Sequence, residues 1–289
     1  MSDITFANYV VAWVDLLGQT SLLEKIGPIP FNEEEMASFV KPLKPTFGRV
    51  RKFRELITHF REQLTQKTNI PENLIMTRSA DELAMCEKYT QPKVNVAFLA
   101  DSAMLSVCLR EDMPFSPIRG IDCMLDMLSL IMISCLAAHA PIRGAVDVGV
   151  CAEIDGGELY GQAVSRANYR ERRQAGYPRI IIGDYLVHYL KTCEDVINEP
   201  PITPEKKIQK GWLSQIANKF ETDTDGRIIL SYLCSKRDFP NKEDFNFLTQ
   251  EACKLIKNTI SDAISRGDVK LAGRYSVLKN YFERHNCWL

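Results

Sequence analysis

Six apolar, β-favouring residues, Tyr9 to Val14 (YVVAWV), stop abruptly at Asp15 and are followed by Gly18. A run this short and this continuous has no polar side to show to water. It therefore suits a strand covered on both faces at the centre of a sheet. One such strand commits the chain to layers, with helices packed on the sheet.

The rest of the sequence supplies those layers. Thr20 to Pro45 holds four prolines and reads as a short helix followed by a loop. Phe47 to Gln66 spaces Phe53, Leu56, Ile57, Phe60 and Leu64 as a helix does,. Residues 67–92 are polar and give no clear element. Val94 to Leu99 and Met104 to Leu109 are strand-like runs around Ala100-Asp101-Ser102, which reads as a hairpin,. Ser116 to Ala140 is expected as a long buried helix, with Pro117 at its start and Pro141 just beyond its end,. Ile142 to Cys151 alternates as a strand, Asp155-Gly156-Gly157 is a turn signal, and Gly161 leads into a helix running to about Ala175.

A strand over Arg179 to Ile182 and a helix over Asp184 to Lys191 follow. Residues 195–224 are mixed, with a proline-rich loop at 200–204. Asp223 to Gly226 is a turn signal before a strand from Arg227 to Leu233, and two amphipathic helices are expected at about 243–265 and 268–285. The order is β, α, β-hairpin, α, β, α, β, α, β. A tight hairpin among helical crossovers predicts an α/β sandwich on a mixed sheet. Residues 1–240 are read as the main domain, with an inserted segment at about 19–92, and residues 241–289 as a helical appendage.

Composition narrows the function. Thirty-six Lys and Arg almost balance 37 Asp and Glu, so no general nucleic-acid or membrane surface is expected. Nine cysteines show no CxxC pair and several lie in apolar runs, which fits reduced, buried thiols,. Four histidines without ligand spacing argue against a histidine-based metal site,. The apolar run Met124 to Ala140 is interrupted by Asp126 and Ser129 and is short for a membrane span,. The start, MSDITFANYVVAW, has no basic segment before its apolar run, so a signal peptide is not expected and a cytoplasmic location is. Basic residues gather at Arg170, Arg172 and Arg173, which reads either as a solvated helix face or as a face turned to a triphosphate.

Asp15 closes the first strand and Asp101 sits at the hairpin tip. If strand and hairpin lie side by side, both carboxylates reach one sheet edge. Two carboxylates with open coordination positions are how proteins hold Mg²⁺ against substrate phosphates. The alternative for each is a cap on a neighbouring turn or helix.

Four segments then carry a resemblance. WVDLLG resembles the first strand motif of class III adenylyl and guanylyl cyclases, and FLADSAML their second acidic motif. IRGAVDVGV is similar to the core strand that follows, and ELYGQAVSRANY to the D-x-x-G-x-x-V-N-x-A-x-R segment, matching at Gly161, Val164 and Ala167. The ordered set spans roughly residues 7–183. The resemblance implies a class III cyclase fold in which Asp15 and Asp101, with the backbone carbonyl of Leu16, hold two Mg²⁺ or Mn²⁺ ions. It also implies a nucleoside triphosphate substrate whose own 3′-hydroxyl is the nucleophile. That agrees with the absence of a Ser-His-Asp or Cys-His arrangement. A homodimer is implied too, with metal ligands from one protomer and the segment 158–170 from the other.

The departures matter equally. Glu158 falls where purine cyclases place an acidic base-selecting residue, Ser165 where they place Asn, and Tyr169 where they place the transition-state Arg. A missing Arg removes transition-state charge stabilisation. Arg170 next door, Arg166 one turn earlier or Arg143 on the core strand are the candidates to replace it, and Arg143 has a structural ion pair as its alternative. With the stretched segment 19–92 and the C-terminal helices, this pattern resembles the bacterial pyrimidine cyclases of anti-phage defence (the Pycsar systems). That resemblance implies cyclic UMP or cyclic CMP as product, acting on a downstream effector. The acid at Glu158 leaves a purine substrate open. A cyclase-fold module that binds without turnover, or one whose C-terminal helices are an interaction surface, stands as the reading from another class.

Overall fold

The computed structural model describes residues 5–19, 23–24, 29–66, 79–112, 115–154, 158–233 and 241–288. Among these, eight strands form one mixed, mostly antiparallel sheet: β1 (Phe6–Leu16), β2 (Asn95–Leu99), β3 (Ser102–Cys108), β4 (Ile142–Ile154), β5 (Glu158–Gly161), β6 (Ile180–Ile182), β7 (Phe220–Thr222) and β8 (Ile228–Leu230). The spatial order is β2-β3-β1-β4-β6-β8-β7, with β5 added on β4. Only β4 and β6 pair in parallel. The first strand is central as expected, flanked by β3 and β4.

The helices are α1 (Glu33–Thr65), α2 (Ala80–Thr90), α3 (Pro117–Ala137), α4 (Gln162–Gln174), α5 (Asp184–Asn198), α6 (Pro204–Ala217), α7 (Lys242–Ser265) and α8 (Val269–Arg284). Helix α1 begins at Glu33 rather than near Phe47 and runs through Pro42 and Pro45. Its start is set by a cap: Asn32 accepts the Glu35 N–H at 2.9 Å, and the Glu35 carboxylate accepts the Phe31 N–H at 2.8 Å. Three glutamates in the first turn also suit the positive end of the helix dipole,. Helix α6 and strands β5 and β7 were not expected, and β4 continues to Ile154 beyond the expected end at Cys151. The turn signal at 155–157, and most of the short helix expected after Thr20, lie outside the described residues.

Strand alternation divides β1 between two cores. Val10, Ala12, Val14 and Leu16 join the main core with β3, α1 and α3. Tyr9, Val11 and Trp13 join a smaller cluster beneath α4, which contributes Ala163 and Ala167. Asp15 continues this second face. Helix α4 comes close because residue 149 is glycine: a Cβ there would stand 2.9 Å from the Ala163 nitrogen.

Helix α3 is long and apolar enough to cross a membrane by length and composition alone, but it is largely buried inside the protein. Its acids are answered from within, because Lys219 pairs with both Asp122 and Asp126 and Arg119 pairs with Asp122. Helices α7 and α8 place Phe245, Ile256, Leu278 and Phe282 in the same main core.

Candidate active site

At the end of β1, Asp15 faces Ser102 on one side and Arg143 on the other. The Ser102 hydroxyl donates to Asp15 Oδ1 at 2.7 Å. The Leu16 N–H donates to the Asp101 backbone carbonyl at 3.1 Å, tying the strand to the hairpin tip. The tip itself is braced from α1, where Arg54 donates to the Ala100 carbonyl at 2.7 Å and stacks over Phe98. The two acidic motifs are thus joined by backbone and by side chain.

Electrostatics agree with the geometry. The Asp15 carboxyl is held above the ordinary carboxylate range, chiefly by burial. Ser102 works against this and the nearby Asp101 charge adds to it, while Arg143 and Arg172 act more weakly in the lowering direction. Among the described residues, no Lys or Arg forms an ion pair with Asp15 or Asp101. Neither is there a cluster of three or more His, Cys, Asp or Glu side chains suited to a metal. The protein therefore offers two carboxylates and a strand-end carbonyl, a donor set that fits Mg²⁺ or Mn²⁺ sharing its coordination with phosphate oxygens and water.

A cleft of about 430 Å³ opens here, lined by Trp13, Asp15, Ser102, Arg143, Glu171, Arg172 and Arg173. Glu171 is the residue sequence reasoning missed. It is 2% exposed and pairs with Arg143. Burial raises its carboxyl above the ordinary range, Arg143 opposes this, and Asp15 adds to it. An acid inside the basic run Arg170–Arg173 was the available signal, since a lone buried acid in such a run needs a cation across the fold. Arg143 takes that role as an ion-pair partner while still lining the cleft.

The other candidates are arranged differently. Arg170 is committed to Asp147 at 2.8 Å, Asp184 at 3.0 Å and Gln174 at 3.1 Å. Asp147 in turn accepts the Val148 and Leu186 N–H groups, so it caps α5 from a neighbouring strand. A methyl group on Gly183 would stand 2.2 Å from the Asp147 carboxyl carbon. Arg166 donates to the Val148 carbonyl at 2.9 Å and stacks over Tyr185 at 3.6 Å. Glu158, Ser165 and Tyr169 are exposed. Glu158 pairs with Ile154 while Asp15 pairs with Arg143. The eleven strand steps between those two points on β4 separate them by roughly 35 Å along the strand.

No family model matches this chain, and no curated protein matches it. Solved structures do. The catalytic core of a rhodopsin-guanylyl cyclase with converted specificity, in complex with ATPalphaS, is 12% identical with a TM-score of 0.38, covering 65% of this chain and 84% of that one. The monomeric guanylyl cyclase domain of a RhoGC fusion protein from the aquatic fungus Blastocladiella emersonii is 11% identical with a TM-score of 0.41, covering 79% and 96%. The guanylyl cyclase Cya2 is 13% identical with a TM-score of 0.32, covering 64% and 79%. Scores this low leave the assignment to the residues themselves.

Proposed function

We propose that this chain is a metal-dependent nucleotidyl cyclase that closes a nucleoside triphosphate to a 3′,5′-cyclic monophosphate and diphosphate. The observation that carries the reading is the joining of Asp15 and Asp101 at one sheet edge without a paired cation among the described residues. These carboxylates, with the Leu16 carbonyl, would hold the divalent ions. Bound there, two such ions neutralise the triphosphate and make the 3′-hydroxyl more acidic. Ser102 orients Asp15, and Arg172 and Arg173 line the cleft on the side open to an anion. The Arg143–Glu171 pair fixes the cleft wall.

The substrate in this proposal is UTP or CTP, and the product is a second messenger of anti-phage defence acting on a separate effector. What supports the pyrimidine is the departure at Ser165 and Tyr169 from the purine-cyclase pattern. The chemistry is assigned to residues 1–240, with the helices of 241–289 in support. The active unit is a homodimer. Glu158 lies too far along β4 to serve the Asp15 cleft of its own chain, so this reading assigns it, with the exposed Ser165 and Tyr169 of α4, to a partner's. Exposed Ile154, Tyr160 and Tyr169 offer apolar surface for that contact,.

A second reading is a nucleotide-binding module without turnover, favoured by the commitment of Arg166 and Arg170 to internal partners. One experiment separates the two. Purified protein is incubated with ATP, GTP, CTP or UTP in Mg²⁺ or Mn²⁺, and cyclic monophosphates are read by mass spectrometry. Cyclic UMP or CMP, lost in Asp101→Ala, is the expected result. Cyclic AMP or GMP keeps the reaction and overturns the substrate. Binding without product from any triphosphate leaves the module.

A further inference from the structure

Just past the end of β1, Gln19 occupies a place that does not suit an amide. Its side chain is 2% exposed, yet among the described residues neither its nitrogen nor its oxygen has a hydrogen-bond partner. Buried amides without partners are destabilising, so a chain that keeps one without a ligand invites a functional explanation.

Gln19 lines a cavity of about 540 Å³ between α1 and the hairpin tip. Leu43, Phe47 and Val50 form one wall, Leu23 closes a second, and Ala100 and Asp101 make the lip. Phe47 is 69% exposed and Leu23 45% exposed, so the apolar wall opens to solvent at its rim. The hydroxyl of Thr46, also in the wall, is already used by the Leu43 carbonyl at 2.7 Å. Gln19 is thus a buried polar group with no hydrogen-bond partner among the described residues, in a small-molecule-sized cavity whose lining also includes Lys44 and Asp101,. Asp101 lines this cavity, and its charge acts on Asp15 in the neighbouring cleft.

The chemistry of the occupant follows from those walls. It has flat or apolar faces to lie against Leu43, Phe47 and Val50. It carries a donor and an acceptor side by side on one edge, to meet both atoms of a primary amide. It is joined to something that sits at Asp101. We infer that the cavity receives the nucleobase of the same triphosphate whose phosphates are held at Asp15 and Asp101, and that Gln19 reads its edge. This rests on the metal reading above. Cytosine presents N3 beside its amino group and uracil presents O4 beside N3–H. Turning the amide by half a rotation matches either one, so Gln19 recognises a base without choosing between the two.

The test measures binding, not turnover. Full-length protein with Mg²⁺ is titrated by calorimetry with inorganic tripolyphosphate, 3′-deoxy-UTP and 3′-deoxy-CTP, which lack the nucleophile. The wild type should bind both nucleotides more tightly than tripolyphosphate. In Gln19→Met, similar in size but unable to bond, that advantage should fall about tenfold while tripolyphosphate affinity stays unchanged. The ligand-free Gln19→Met chain should also melt higher than wild type, having lost an unpaired amide. Gln19→Leu serves the same comparison if the methionine variant does not fold. An unchanged nucleotide advantage, or a lower melting temperature in the folded variant, overturns the inference while leaving the metal site standing. Failure of the wild type to bind tripolyphosphate with Mg²⁺ overturns the metal reading and this inference with it. Nucleotide affinity that survives Asp101→Asn undiminished, while tripolyphosphate binding is lost, overturns the single-nucleotide arrangement.

Discussion

Two charge clusters in this protein treat their carboxylates in opposite ways. At the end of β1, Asp15 and Glu171 are both held above the ordinary carboxylate range, with burial as the leading cause. Beside β6 and β8, Asp225 is held well below it by hydrogen bonds from Arg179 first of all. Asp223 is also lowered: burial pushes it up, but hydrogen bonds from Tyr177, the Thr224 N–H and Arg179 outweigh that. Arg284 adds a further contact to Asp223 at 3.0 Å. The second cluster is a closed arrangement in which each acid meets several donors. The first has three acids, Asp15, Asp101 and Glu171, and Arg143 is already paired with Glu171. A buried site short of positive charge is where a cation from outside binds best, and perturbed carboxylates of this kind gather at functional sites.

The largest effect expected from this contrast is on activity. Asp15→Asn keeps the size of the side chain and its bond to Ser102 but removes the charge. Product formation should fall about a thousandfold or more, while the melting temperature holds or rises. Normal turnover in a folded Asp15→Asn chain would erase the distinction between the clusters.

Next in size is the loss of one arginine from each. Arg179→Met leaves Asp223 and Asp225 short of their main partner and should cost about 3–5 kcal/mol in urea denaturation. Arg143→Met should cost less, about 1–2 kcal/mol, because burial already raises the Glu171 carboxyl above the ordinary range, which lowers the cost of neutralising it once Arg143 is gone,. Equal losses would mean that the two clusters are alike.

The smallest effect is in the pH profile. Asp223 and Asp225 have depressed folded-state pKa values, so their contribution is full above about pH 4 and is lost as pH falls further. Asp15 has a raised value, so its ionisation opposes folding as pH rises through that value. Melting curves should therefore show Asp15→Asn gaining on wild type at pH 7 and losing that gain near pH 4. Asp223→Asn should trail wild type at pH 7 and close the gap below pH 4. A gap of the same size at both pH values, for either variant, would break the contrast.

Much of this architecture could be read from residue patterns. The run Tyr9 to Val14, the hairpin around Asp101, helix α3 between its prolines and the two C-terminal helices all carry long, regular signals. What escaped was short or contradictory. Strand β7 has three residues, too few for a period to show. Only the first part of helix α1, Glu33 to Thr46, was concealed, by Pro42 and Pro45, which normally end helices,. At the site, Asp15 and Asp101 could be named because strand ends and hairpin tips have sequence marks. The Arg143–Glu171 pair could not, because it depends on how α4 lies across β4. The same is true of Arg166 and Arg170, whose partners sit on other elements.

The contact between Gly183 and Asp147 has a consequence on the scale of lineages. A side chain larger than hydrogen at 183 collides with that carboxylate. Replacing the carboxylate in turn leaves Arg170 without its buried partner and α5 without its cap. Neither position can drift alone, and Arg170 cannot leave first without stranding the acid. Descendants of this sequence should therefore keep the three residues together or exchange them as a set, while the exposed Ser165 and Tyr169 on the same helix wander, except where a partner protomer holds them.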